Sequence, residues 1–314
     1  MTMDKRALRR GLRTNFTPGV RDRLGRAKLR LRQASHLPYL VAGRGLDRPI
    51  FIIGAPRSGT SLLYAILRTS SHLAHWPGEA HEIWEADYHP ALRGWRSNVL
   101  RADDVDPAAA AAIRRNFFLV TGARKRLIDK TPRNSLRVPF VDALFPDARF
   151  VYLQRDGRDN VNSLINAWRT PRYRTYEIPT PHAIPGCNPK WWKFVLYPGW
   201  EEDDRGPLEL VCARQWTSCN DFALTDGDSL PAERWTTVRY EELVQDPVDE
   251  VARLVEFLDI PYEDSTRRRA AATATTPINT VTPPERGKWK RENPAEIEAI
   301  EDVIASTMKA MGYG

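Results

Sequence analysis

Apolar positions along the chain follow two rhythms that alternate. "RPIFIIG" (48–54) is a short unbroken apolar run ending at a glycine, the pattern of a buried strand. In "SGTSLLYAILRTS" (58–70) the apolar residues fall at 62, 63, 66 and 67, which is helical spacing. "RLID" (126–129) predicts a second strand, and "NSLRVPFVDALFP" (134–146) a helix with Asn134 as its candidate cap and Pro139 in its middle. "ARFVYLQRD" (148–156) predicts a third strand and "GRDNVNSLINAW" (157–168) the helix after it. "LELVCARQWTSCNDFAL" (208–224) reads as helix, "WTTVRYEEL" (235–243) as a fourth strand, and "PVDEVARLVEFLDI" (247–260) as a helix with proline in its first turn. "NPAEIEAIEDVIASTMKAMG" (293–312) predicts a closing helix that ends at glycine. Strands alternating with helices predict an α/β fold: a P-loop-type parallel sheet flanked by helices on both faces, in a single domain over 46–314. In such sheets ligands bind at the carboxyl ends of the strands.

The alternation stops between 168 and 207. That stretch is rich in proline and aromatic residues and is expected to be an irregular insertion from the core. Its Trp168, Trp191, Trp192, Tyr197 and Trp200 suit either stacking on a sugar or flat apolar group, or a satellite core under a long loop.

Charge divides the chain differently. Residues 1–32 carry eleven Lys or Arg against Asp4 and Asp22, a net +9, while the remainder is −2 of the total +7. Residues 1–45 therefore read as a basic N-terminal arm on a near-neutral body. Such an arm is solvated, or makes peripheral contact with an anionic membrane face; nucleic acid is not expected as the main partner. No run approaches the ~18 consecutive apolar residues of a membrane span. The opening "MTMDKRALRRGLR" lacks the apolar core of a secretory signal. Cys187, Cys212 and Cys219 are few, odd in number and without metal-like spacing. The expectation is a cytoplasmic protein, free or peripheral at the inner membrane face, with no metal.

Three loops that follow strands carry the candidate chemistry. "GAPRSGTS" (54–61) nearly fits the phosphate-loop pattern G-x-x-x-x-G-K-[ST], with Thr60 where the lysine would stand and Arg57 inside the loop. Gly54 and Gly59 let the backbone turn and approach an anion, and the amides of residues 58–61 point at it from a helix N-terminus. Without the lysine the loop suits a single 5′-phosphate better than a triphosphate with Mg²⁺. "LIDKTPRN" places Lys130 beside that loop; Asp129 is the alternative, as a magnesium ligand. "RFVYLQRDGRDNVNS" sets Arg155 at a strand end and Ser163 eight residues on, a second anion site.

These residues, together with "VRYEELVQDPVDEVARLVEFLDIP" and "RGKWK", resemble the sulfotransferase family that uses 3′-phosphoadenosine 5′-phosphosulfate (PAPS), in the bacterial and tyrosylprotein-type branch with a Pro-Arg-Ser-Gly-Thr loop. The likeness runs from about Arg48 to the C-terminus, with gaps at 85–120 and 168–210. It implies that Arg57, Ser58, Gly59, Thr60 and Ser61 hold the 5′-phosphosulfate. Arg155 and Ser163 would hold the 3′-phosphate, Tyr240 at the end of the fourth strand would reach the nucleotide, and Arg286, Gly287 and Lys288 would close over it. Sulfuryl transfer is then an in-line displacement in which the protein positions groups and neutralises charge. "HWPGEAHEIWE" offers Glu79, His81, Glu82 and Glu85 for the base: Glu79 matches the branch's glutamate, ahead of Glu82 and His81, which otherwise face the acceptor with Trp168, Trp191 and Trp192. Lys130 and Arg57 would stabilise the leaving oxygen. The expected acceptor is a hydroxyl of a glycan, glycolipid or small metabolite. The rival readings are a P-loop nucleotide kinase or NTPase and a non-catalytic binding protein on the same fold.

Overall fold

The computed structural model describes residues 34–38, 45–274 and 285–314. The expected arm over 1–45 lies almost wholly outside them. Strand β1 (Ile50–Ile53) is followed by helix α1 (Thr60–Leu67), strand β2 (Leu73–Ala74), and helices α2 (His81–Trp84) and α3 (Pro107–Thr121). Next come β3 (Arg126–Lys130), α4 (Val138–Leu144), β4 (Arg149–Gln154) and α5 (Gly157–Arg169). A two-stranded ribbon, β5 (Tyr176–Glu177) with β6 (Trp191–Trp192), precedes α6 (Leu208–Gly227) and β7 (Trp235–Arg239). The chain continues through α7 (Tyr240–Gln245), α8 (Pro247–Leu258) and α9 (Asp264–Ala271), and then α10 (Trp289–Glu292), α11 (Pro294–Glu298) and α12 (Glu301–Ala310).

The central sheet has the order β2-β3-β1-β4-β7, and all its pairings are parallel. Side chains alternate across it with the strand period of two. Ile50, Ile52, Ile128, Val151, Leu153 and Val238 meet α1 and α8 on one face. Phe51, Ile53, Leu127, Phe150 and Tyr152 meet α2, α3 and α4 on the other. With both faces covered, β1 is buried at every position, which is why it reads as a continuous apolar run. The strand β1 lies between β3 and β4, so the loops after all three reach the same carboxyl edge.

Several boundaries differ from the sequence expectation. The helix expected over 134–146 is a 3₁₀ turn, Pro132–Leu136, then α4, with Arg137 breaking the path. Pro139 sits in the first turn of α4, where its missing N–H costs nothing. Asn134 is not a cap; its side chain donates to Asp129 and accepts from Arg137 Nε. The strand expected to run to 243 ends at Arg239, so Tyr240 opens α7 instead of closing a strand. The closing helix is two pieces, α11 and α12. Unforeseen in the sequence, α3 nonetheless carries ordinary signals: Asp106 caps Ala109 N, Pro107 follows, and Gly122 stops it.

The 168–207 stretch is folded into the body. Trp168, Tyr176, Trp192, Val195, Leu196, Tyr197 and Trp200 share a core cluster with α5, α6 and α12. Trp168 Nε1 donates to Gln215 and Trp192 Nε1 to the Val195 carbonyl, so both indoles satisfy their polar atom internally.

Candidate active site

The loop 54–61 is held by its neighbours on both sides. Gly54 N donates to Ser135 Oγ (3.0 Å), in the turn after β3. Asn160 Nδ2, in the first turn of α5, donates to the Pro56 carbonyl (3.0 Å), and Arg155 Nη1 to the Arg57 carbonyl (2.9 Å). The backbone is bent where it meets them: Arg57 has φ 72°, a left-handed conformation that a long side chain adopts only at a cost. Gly59 has φ 107°, and a Cβ there would lie 2.3 Å from the Tyr240 ring. Only glycine lets that ring close against the loop. Gly59 is also the N-terminal boundary residue of α1, which carries no side-chain cap, so the amides of its first turn face the loop.

Two of the expected phosphate contacts touch each other. Arg57 Nε donates to Ser163 Oγ (3.3 Å), and Nη1 to the Tyr173 hydroxyl (3.3 Å), with the guanidinium over the Tyr173 ring. Burial lowers the Arg57 pKa; Tyr173 counters this and the neighbouring Arg155 charge adds to it. Arg155 stacks on Tyr240, 4.5 Å from guanidinium carbon to ring centroid. The subsites expected for the 5′- and 3′-phosphates thus form one cationic patch. Within it, Ser58 Oγ and Arg155 Nε are buried with no hydrogen-bond partner among the described residues. A buried hydroxyl and a buried guanidinium N–H without partners are costly unless an anion meets them. A bisphosphorylated nucleotide offers oxygens that fit both.

Lys130, the last residue of β3, is buried and joins two elements. Its ammonium donates to Ser61 Oγ (3.1 Å) at the start of α1 and pairs with Glu79 Oε1. The other Glu79 oxygen is 2.6 Å from His81 Nε2, at the start of α2. Burial would raise the Glu79 pKa, but Lys130 and then His81 overcome it and hold the carboxyl well below the usual range. Glu82 is exposed. Asp129, the alternative metal ligand, points inward and accepts from Trp84 Nε1 (3.0 Å), Thr131 and Asn134. Burial outweighs these donors and pushes its pKa up to about 6.

Behind His81 lies a network in which Glu85, a candidate carboxylate of the sequence, meets partners that sequence reading missed. Arg133 pairs with Glu85 (2.5 Å) and stacks on Tyr176, whose hydroxyl donates to Glu85 (2.8 Å) and accepts from Asn98 (2.7 Å). Burial would raise the Glu85 pKa, yet the Arg133 guanidinium beside it holds it at about 2. The segment after residue 284 docks through Gly287 N on Asp159 Oδ2 (2.8 Å), in the first turn of α5; Lys288 is buried and pairs with Glu292 (3.1 Å), while Arg286 is exposed. Asn160 carried a sequence signal, a polar residue on the helix face of Leu164 and Trp168; Asp159, on a polar face with Asn162, Ser163 and Asn166, had none, and neither had Tyr173 or Arg133. Trp191 is half-buried, and Trp168 and Trp192 are in the core.

The model of the Sulfotransferase family matches residues 49–182 and 190–264. Protein-tyrosine sulfotransferase A of Caenorhabditis elegans is 24% identical over 293 residues, spanning 84% of this chain and 67% of that protein. Protein-tyrosine sulfotransferase 1 of Danio rerio is 24% identical over 316 residues, spanning 91% and 78%. The crystal structure of sulfotransferase STF9 from Mycobacterium avium has a TM-score of 0.60 at 17% identity, covering 90% of this chain and 81% of that one, which is a likeness of fold. With its phosphate loop, parallel sheet and family match in agreement, the chain belongs to the sulfotransferase family.

Proposed function

We propose that this chain transfers the sulfuryl group of PAPS to an acceptor hydroxyl, with Glu79 as general base. The observation that carries the reading is the position of Lys130, whose ammonium lies against both the N-terminus of the phosphate-loop helix and the Glu79 carboxylate. One cation is thereby placed to serve a leaving phosphate oxygen while a carboxylate beside it meets the attacking hydroxyl. In the step, the acceptor oxygen forms a bond to sulfur as the bond from sulfur to the 5′-phosphate oxygen breaks. The electron pair leaves on that phosphate, and the acceptor proton goes to Glu79. Arg57, Lys130 and the first-turn amides of α1 offset the charge that builds on the leaving oxygen. Arg155 and Ser163 hold the 3′-phosphate, with Tyr240 packed under Arg155. Gly287 and Lys288 form the wall beside α5.

For the acceptor, the relatives named as protein-tyrosine sulfotransferases put a peptide tyrosine phenol first. A glycan, glycolipid or metabolite hydroxyl drew its support from the tryptophans of 168–207, and three of these, Trp168, Trp192 and Trp200, are core residues. The test is transfer of ³⁵S from labelled PAPS to a panel of a tyrosine peptide, a simple phenol, a glycan and a glycolipid. Labelled product together with released 3′,5′-adenosine bisphosphate (PAP) is expected. Consumption of ATP with Mg²⁺, and none of PAPS, would overturn the reading.

A further inference from the structure

We infer that His81 is a positioning residue for the base: a neutral imidazole that donates from Nε2 to Glu79 and fixes the direction of the carboxylate. The inference rests on Glu79 being the base. Glu79 sits on a loop just after Gly78, whose φ is 96° and whose surroundings are open. Its two oxygens are tied separately, one to Lys130 and one to His81. A lysine that must also serve the leaving group cannot be the constant anchor. The imidazole is set at the start of α2 between two buried residues, Ala80 and Ile83, and it can be.

Geometry assigns the proton. Nε2 lies 2.6 Å from a carboxylate oxygen, so Nε2 carries the hydrogen and donates it. Nδ1 is buried with no hydrogen-bond partner among the described residues. Protonating it would create a buried N–H without an acceptor. The groups facing the ring are Glu79 from the preceding loop, Glu85 from the end of α2 and Arg133 from the turn after β3. Lys130, Arg137 and His89 surround that set through Glu79 and Glu85. Burial lowers the His81 pKa and Arg133 lowers it further, while Glu79 and Glu85 only partly offset them. His81 therefore stays a neutral donor at neutral pH, neither a competing base nor a pH switch. Misplacing a reacting group by ~1 Å can cost about 10²-fold in rate, which is the scale of loss expected when this anchor goes.

Two measurements test the inference. In a long-range ¹H–¹⁵N spectrum of uniformly labelled protein, with the His81 signals assigned by their loss in His81→Gln, a neutral Nε2–H tautomer from about pH 7 to pH 8 is expected. An imidazolium or an Nδ1–H tautomer in that window would overturn it. In turnover of PAPS with a tyrosine peptide or p-nitrophenol, His81→Phe should lower kcat by roughly 10- to 100-fold, with PAP affinity unchanged. The acid limb should move to higher pH, because the carboxylate loses a donor. His81→Gln, which can restore an N–H, should recover most of the loss. A normal rate in His81→Phe, or no recovery in His81→Gln, would remove the role. A wild-type protein that neither binds PAP nor consumes PAPS refutes the sulfotransferase reading itself, whereas wild-type turnover with a normal rate in His81→Phe refutes the positioning role alone.

Discussion

Glu79 is a carboxylate that burial should weaken and that two donors restore. Held ionised by Lys130 and His81, it is ready to take a proton across the neutral range. A base works only when deprotonated, so activity is lost as pH falls through its pKa. That pKa is lowered, so kcat/KM for PAPS should show no acid limb between the ordinary carboxylate value of ~4.3 and neutrality. A limb near 6 to 7 would assign the base to an imidazole. Glu79→Gln should cut kcat by about 10²-fold or more while leaving the PAP dissociation constant within a few-fold, read by calorimetry. Arg155 predicts the reverse division. Losing a charge-assisted contact of about 1.5–3 kcal/mol, Arg155→Ala should weaken PAP by roughly 10- to 100-fold and erase its preference over adenosine 5′-phosphate. Both nucleotides binding as before would take Arg155 off the 3′-phosphate.

At the scale of elements, the phosphate loop and the aromatic segment show what a sequence can and cannot display. The loop was legible because the residues that form it are consecutive in sequence. A glycine at 59 is required by φ 107° and by the Tyr240 ring, and Arg57, Ser58 and Thr60 lie within a few residues of it. Gly59→Ala should therefore disable nucleotide binding and lower thermal stability, seen by PAP titration and melting; a fully active variant would contradict the packing described. Segment 168–207 was not legible, because its order comes from distant partners: Gln215 under Trp168, and Asn98 at the Leu196 backbone and the Tyr176 hydroxyl. Composition showed an aromatic excursion and could not show which face of it is covered. Trp192→Ala should cost roughly 3–5 kcal/mol of stability, measured by denaturant unfolding, before it affects acceptor choice. The early end of β7 was hidden for a related reason. "VRYEEL" suits a strand by composition, yet its last residues turn into α7, so that Tyr240 packs against Gly59 and Arg155.

On the scale of the whole molecule, the parallel sheet brings residues about a hundred positions apart to one edge: Arg57 after β1, Lys130 at the end of β3 and Arg155 after β4. The charge that a lysine supplies within a triphosphate loop is here distributed over three strands' ends, an arrangement suited to two separate phosphates. That fold-level assembly followed from strand–helix alternation, whereas the buried Glu85–Arg133–Tyr176 floor under His81 did not, since none of those residues is near another in sequence. The ligand that this edge holds is tested by calorimetric titration in the presence of EDTA. The predicted result is saturable PAP binding without metal, at least about tenfold tighter than adenosine 5′-phosphate. No PAP binding, with tight binding of ATP once Mg²⁺ is restored, would contradict it.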